Sequence, residues 1–165
     1  MKRQIPKFIL DGDLGQVTTY QAGVMQAMVN RALQKRCDEV LKAFYLTKTQ
    51  WLIIGTVLDA GSSGIKMSDL ADCLDTNLPY ITNTVNILES KDMLMRKKNN
   101  DDNRSKMICI NPEFVDECQK IEHALRDALR HSIYADVSTE DFRTYLKVMY
   151  QLINVEPKDS NQTYA

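Results

Sequence analysis

The sequence predicts a mainly α-helical protein with one small β-hairpin, and three observations predict it. Apolar residues recur at three- and four-residue steps through most of the chain, which is the period of a helix with one buried face. Two of the periodic stretches are joined by a turn of only a few residues, Asp75-Thr76-Asn77. Late in the chain, two strand-like segments flank Asn99-Asn100-Asp101-Asp102-Asn103, a run of residues that favour turns. A chain of 165 residues with 44% hydrophobic and 26% charged residues can bury a core of its own without disulfides or metal.

After a short N-terminal arm, Val17, Tyr20, Val24, Met28, Ala32 and Leu33 form a stripe that Val40, Leu41 and Phe44 continue. One helix over roughly residues 14 to 44 accounts for it. So long a helix extends past a small core, so part of its stripe is expected to face a second subunit. Thr47 and Gln50 then form a capping box, the hydroxyl accepting from the Gln50 amide while the Gln50 side chain reaches back. The helix they open carries Trp51, Ile54, Val57 and Leu58 on one face and stops at Gly61-Ser62-Ser63-Gly64. Ser68 is the candidate N-cap of a very short helix with Leu70, Ala71 and Leu74 inward. A further helix begins near Leu78-Pro79, where a proline in the first turn leaves no amide unbonded, and points Ile81, Val85 and Leu88 inward before stopping near Asp92. Two short helices around so tight a turn predict a helix-turn-helix.

Met93 to Lys98 and Ser105 to Ile110 predict the hairpin, with a charged tip. Pro112 opens a long helix with Phe114, Cys118, Ile121, Leu125 and Leu129 inward. A last helix follows Ser138 with Phe142, Tyr145, Leu146, Met149 and Ile153 on one face. The tail from Glu156 to Ala165 is polar and is expected to fray.

Composition narrows the function classes. No apolar run approaches the roughly 20 residues that cross a bilayer, and the polar start MKRQIPKFILDGD has no signal-peptide character, so a cytoplasmic protein is expected. Cys37, Cys73, Cys109 and Cys118 are far apart with no CxxC pair, which predicts reduced, buried thiols and no zinc site. His123 and His131 are separated by more than two helical turns, too far to share a metal. No nucleophile-base pair, phosphate-cradling glycine loop or carboxylate cluster stands out, so neither an enzyme nor a cofactor is expected. The net charge of -1 gives no global attraction to nucleic acid; a DNA site must rest on locally segregated charge.

The order of elements, a long helix, a capped helix, a helix-turn-helix, a basic hairpin and two closing helices, resembles the MarR family of bacterial regulators over nearly the whole chain. Leu46-Thr47 with Gln50-Trp51 is similar to the family's entry to its second helix. Ser68-Asp69-Leu70-Ala71 is similar to the first helix of its DNA-binding region, Leu88-Glu89-Ser90-Lys91-Asp92 to the end of its recognition helix, and Asp102-Asn103-Arg104 to its Asp-x-Arg wing motif. The resemblance implies a winged helix-turn-helix core flanked by dimerisation helices. Each subunit would place a recognition helix in the major groove and a wing in the minor groove. Two residues depart from the family pattern: Asn83 stands where many relatives carry arginine, and Asp92 replaces a common glycine, which leaves the helix end without its usual left-handed residue. Cys37, near the end of the first helix, does not match the cysteine of the family's peroxide-sensing branch, which lies near the start.

On this frame the candidate interface is chemically specific. Arg96, Lys97, Lys98, Arg104 and Lys106 crowd the hairpin against Asp101 and Asp102. A guanidinium at its tip fits a narrow minor groove, with Asp102 orienting Arg104. Pro79, Tyr80, Thr82, Asn83 and Asn86 lie off the apolar stripe of the recognition helix. Asparagine can make a bidentate contact to adenine, and threonine can touch a thymine methyl or a phosphate. Helix N-terminal amides near Ser68 and Leu78 offer phosphate contacts. Tyr20, Met25, Met28 and Trp51 are candidates to line a small-molecule effector pocket of the kind the family carries.

The organisation expected is therefore an arm and dimerisation helix over 1–45, a winged helix-turn-helix over 46–111, dimerisation helices over 112–155 and a tail over 156–165, together one MarR-like domain. The function expected is transcriptional regulation, in the sense of a repressor. A homodimer would bind double-stranded DNA at a pseudo-palindromic operator and respond to a small-molecule effector. The alternative is a winged helix that binds another protein. That alternative predicts an apolar recognition face and no basic wing, the reverse of this sequence.

Overall fold

A computed structural model describes residues 17–98 and 106–154. The first helix, α1 (Thr19–Leu41), starts about five residues later than the apolar stripe suggested, because Thr18 caps it. The Gln21 amide donates to Thr18 Oγ1 at 3.3 Å and the Thr18 amide donates to Gln21 Oε1 at 2.9 Å. A 3-10 turn over Lys42–Phe44 extends the helix. The same box opens α2 (Lys48–Asp59), with the Thr47 amide 2.9 Å from Gln50 Oε1. Gln50 is buried, so this cap also satisfies an amide side chain inside the fold.

Beyond α2 a 3-10 turn (Gly61–Ser63) leads into β1 (Ile65–Lys66), a strand that local sequence did not announce. The helix-turn-helix follows as α3 (Met67–Cys73) and α4 (Leu78–Ser90), and the wing as β2 (Leu94–Lys98) and β3 (Lys106–Ile110). The expected two-stranded hairpin is thus part of a three-stranded antiparallel sheet in the order β1-β3-β2. Ile108 lies opposite Ile65 on one side and Arg96 on the other. A 3-10 turn (Pro112–Phe114) replaces the first turn of the helix expected at Pro112. Then come α5 (Val115–Arg130) and α6 (Thr139–Ile153), the latter capped by Ser138, whose Oγ accepts from the Asp141 amide at 3.0 Å.

The core gathers the apolar faces of these elements: Leu41, Ile53, Ile54, Val57, Leu70, Ile81, Val85, Leu88, Ile108, Cys118 and Ile121 are all essentially inaccessible. Helix α1 packs on α5 and α2, while α2 backs the sheet through β3. Cys109 and Cys118 are buried as expected and Cys37 is half-buried, but Cys73 is exposed, because the last turn of short α3 points it outward. All four thiols are free.

Three helix ends in this fold use a left-handed residue other than glycine. Asp92 has φ 55°, its amide donates to Glu89 O at 3.0 Å, and the Met93 amide donates to Leu88 O at 3.0 Å. Those two bonds are the Schellman arrangement, so the position lacking glycine has the left-handed conformation all the same. Asn111 Nδ2 donates to Asp92 O at 2.8 Å and holds the turn from outside. Asp75 (φ 46°) ends α3 and Tyr45 (φ 55°) ends the first helical segment with the same pair of bonds.

Among the described residues, no helix is long and apolar enough to cross a membrane. Among the described residues helix α6 is distinctive in burying none of its own; Leu146, Val148, Tyr150, Leu152 and Ile153 are 45% to 81% exposed. Tyr20 and Val29 on α1 are also exposed.

Candidate nucleic-acid interface

Helix α4 owes its start to Asn77, whose Oδ1 accepts from the Tyr80 amide at 2.9 Å, and to Pro79 in the first turn. Ile81, Thr84, Val85 and Leu88 are buried. Pro79, Tyr80, Asn83 and Asn86 are exposed and Thr82 half-exposed, so the expected reading face is brought together on one side. Thr82 Oγ1 donates back to Leu78 O at 2.8 Å and Thr84 Oγ1 to Tyr80 O at 2.9 Å. Tyr80, already placed on this face by the sequence, is joined by Leu78; at 45% and 46% exposed they give this end of the helix an apolar element.

Ser68 is not an N-cap. The cap of α3 is Lys66, with no side-chain hydrogen bond, because β1 pairing with β3 carries the chain straight from strand into helix. Ser68 sits inside the first turn, exposed, and its Oγ donates to Asp69 Oδ1 at 2.9 Å.

The wing divides its charges by the pleat of the sheet. Leu94, Arg96 and Lys98 on β2 lie opposite Ile110, Ile108 and Lys106 on β3, and directly opposed residues share a face. Leu94 and Ile108 on that face are buried, so it is the face that meets the helices. Further out along it, Lys98 and Lys106 stand side by side across the strands, both exposed. Lys97, opposite Met107, points to the other face. Asp102 and Arg104 lie outside the described residues.

Arg96 belongs to a different arrangement. Its Nη2 is 3.1 Å from Glu89 Oε2 and donates to Asn86 Oδ1 at 2.6 Å, so one guanidinium bridges the wing to two successive turns of α4. The sequence grouped Arg96 with the free wing cations and Asn86 with the base readers. The fold ties them to each other, a pairing of residues ten apart that no local pattern displays.

Residues 46–106 match the model of the MarR family. That segment is similar to the MarR family. Its winged helix comprises α2 to β3, and the solved structures it resembles extend the likeness across the flanking helices. AbsC, a MarR family transcriptional regulator from Streptomyces coelicolor, is 19% identical, with a TM-score of 0.71, over 83% of this chain and 94% of that one. A mutant MarR from E. coli complexed with operator DNA is 18% identical, with a TM-score of 0.70, over 79% and 92%. The S. aureus MepR-DNA complex is 17% identical, with a TM-score of 0.68, over 84% and 98%. At this level of identity the likeness establishes the fold. No curated protein matches the chain in sequence.

A cavity of about 750 Å³ opens between the winged-helix core and the outer helices. Trp51 lines it, together with Cys37, Leu41, Leu52, Leu125, Leu129, Tyr134 and Phe142, and Lys48, Glu122, Arg126, Asp127 and Arg130 add charge. Tyr20, Met25 and Met28 do not line it. Met28 is nine residues up-chain of Cys37, about 14 Å along α1. Four of the five charged residues come from α5, and the contribution of Tyr134 and Phe142 depends on how the chain turns back after α5; neither is encoded by helical period. Burial pushes the Cys37 thiol and the Tyr134 hydroxyl above their ordinary pKa, so both stay protonated at neutral pH. Elsewhere His123 Nε2 lies 3.1 Å from Asp127 Oδ2 and His131 Nδ1 2.8 Å from Asp127 O; the described residues contain no cluster of three or more potential metal ligands.

Proposed function

We propose that this protein is a homodimeric transcriptional regulator, acting as a repressor, that binds double-stranded DNA at a pseudo-palindromic operator. The observation that carries this reading is the adjacency of two surfaces. Arg96, on the sheet face that carries the exposed Lys98–Lys106 pair, bonds Asn86 on the exposed polar side of α4, so the wing edge and the helix face adjoin. Like charges placed directly opposite destabilise a strand pair unless something anionic lies against them, and a phosphate backbone is such a partner. Asn83 and Thr82 then meet base edges in the major groove, the wing with Lys97, Lys98, Lys106 and Arg104 reaches the adjacent minor groove, and Pro79 and Tyr80 pack at the entry. The DNA-bound state of the similar E. coli and S. aureus proteins supports the same reading.

In this proposal the segments 1–45 and 112–155 dimerise, since the apolar side of α6 and the exposed end of α1 have no cover among the described residues. A small molecule entering the 750 Å³ cavity, a volume typical of ligand sites, changes the angle between the dimerising helices and the winged helix and releases DNA. Trp51, the chain's single tryptophan, lines that cavity and reports occupancy by its fluorescence.

The test is selection of bound duplexes from a random pool, followed by gel shift across a salt series. An inverted repeat with half-site centres about 10 bp apart is expected, with affinity falling steeply as salt rises. Failure to retard any duplex at low salt refutes the proposal and favours a protein partner for the same face.

A further inference from the structure

We infer that Arg96 is a positioning residue that sets what Asn86 can read. The inference rests on the proposed DNA-binding role and deepens it. A guanidinium has only donors, so the Asn86 atom 2.6 Å from Arg96 Nη2 is the side-chain carbonyl, and the amide nitrogen is the end turned away. Glu89, 3.1 Å from the same Nη2, fixes the guanidinium from the next turn of α4, and both ion-pair partners are about three-quarters covered. Glu89 and Asn86 are thus joined through one atom of β2.

Bidentate reading of adenine needs one acceptor and one donor on the same side chain. With Oδ1 aimed at Arg96 and one of its lone pairs taken, Asn86 turns its N–H donors to the groove. It therefore favours a base that offers an acceptor, such as purine N7 with guanine O6, or thymine O4. Asn83, one turn earlier on the same exposed side, has no such bond among the described residues and keeps both halves of its amide. The two asparagines are alike in sequence and different in chemistry. Adenine reading falls to Asn83, acceptor reading to Asn86.

The experiment is sequence selection from a random duplex pool with the full chain, for wild type, Asn86→Ala, Arg96→Met and Arg96→Lys, with thermal melting alongside. Wild type should enrich an acceptor-bearing base at one position per half-site, by about tenfold over the alternatives. Asn86→Ala should flatten that position alone. Arg96→Met frees Oδ1 and should shift the same position toward adenine, while Arg96→Lys, which still donates, should restore the wild-type preference. Unchanged preference in Asn86→Ala, or a uniform loss of affinity without a shift in Arg96→Met, overturns the inference while leaving DNA binding intact. A wild-type protein that enriches no sequence overturns the DNA-binding proposal itself and the inference with it. An Arg96→Met protein that does not fold leaves the decision to Asn86→Ala and Arg96→Lys: a flattened position in the first and a retained one in the second support the assignment, and any other pair overturns it.

Discussion

Replacing Gly64 by alanine should be among the most damaging small substitutions in this protein, and its neighbour Gly61 provides the control. Gly64 has φ 71° and ψ -173°, a region that side-chain-bearing residues essentially do not occupy. Holding alanine there costs about 1–3 kcal/mol. An added Cβ would also lie 2.5 Å from Ile108 O and 2.5 Å from Cys109 Sγ. The sulfur can rotate, but Ile108 is the middle of the sheet, paired with Ile65 and Arg96, and its carbonyl moves only if β3 moves. The total is about 3–5 kcal/mol, in the range reserved for core disruption. Gly61 has φ 65° and open space around its Cβ position. Gly61→Ala therefore meets only the left-handed term of about 1–2 kcal/mol, partly offset by the lower entropy of the unfolded chain, and should lose about 0.5–1 kcal/mol. Urea unfolding of both variants at one fixed protein concentration measures the two losses against wild type. If Gly64→Ala falls within about 1 kcal/mol of Gly61→Ala, the approach of the loop to β3 is not the constraint described.

Asp92→Gly should stabilise the protein by about 0.5 kcal/mol, since relief of a left-handed aspartate exceeds the added chain entropy of glycine; a lowered urea midpoint would contradict the Schellman geometry at the end of α4. Burial pushes the Cys118 thiol from 9.0 up to about 11. The unfolded chain then loses its proton first, so stability is intact below pH 9 and declines between about pH 9 and 11, by an amount on the order of 1–2 kcal/mol. Cys118→Ala should flatten that segment of the stability-pH curve, and an unchanged slope would show that the thiol is not the group responsible. Charged residues at Leu146 and Met149 should yield monomers that no longer retard DNA in a gel. Light scattering of the wild type as a monomer at micromolar concentration would refute the dimer.

Most helices were legible in the sequence because their causes are local, and the failures share one physical origin. The Thr47–Gln50 box was readable because a break in the apolar pattern precedes it; the equivalent Thr18–Gln21 box was not, since Val17 continues the stripe in phase across the cap. Strand β1 is two residues long and exists only through its partner β3, so it leaves no periodicity. Ser68 has the right chemistry for a cap, and tertiary pairing at Ile65–Lys66 moved the helix start away from it. The glycine rule at Asp92 gave the wrong conformation because two backbone bonds and Asn111 decide that turn. At the interface, composition found the basic wing and the polar helix face, whereas the link from Arg96 to Asn86 and the lining of the cavity depend on distant segments meeting.

Among the described residues helix α6 touches its own chain chiefly at one end, where Phe142 packs edge-on against Tyr134 with ring centroids 4.7 Å apart. A helix of 15 residues is marginal in water by itself. In the proposed dimer the second subunit covers its apolar side, so coil-to-helix conversion and association become a single concentration-dependent reaction. Circular dichroism of a dilution series would read assembly directly, as a loss of helix confined to the last part of the chain. On the proposed function, a cell that lowers the amount of this protein would not only empty its operator sites but partly unfold the protein that fills them.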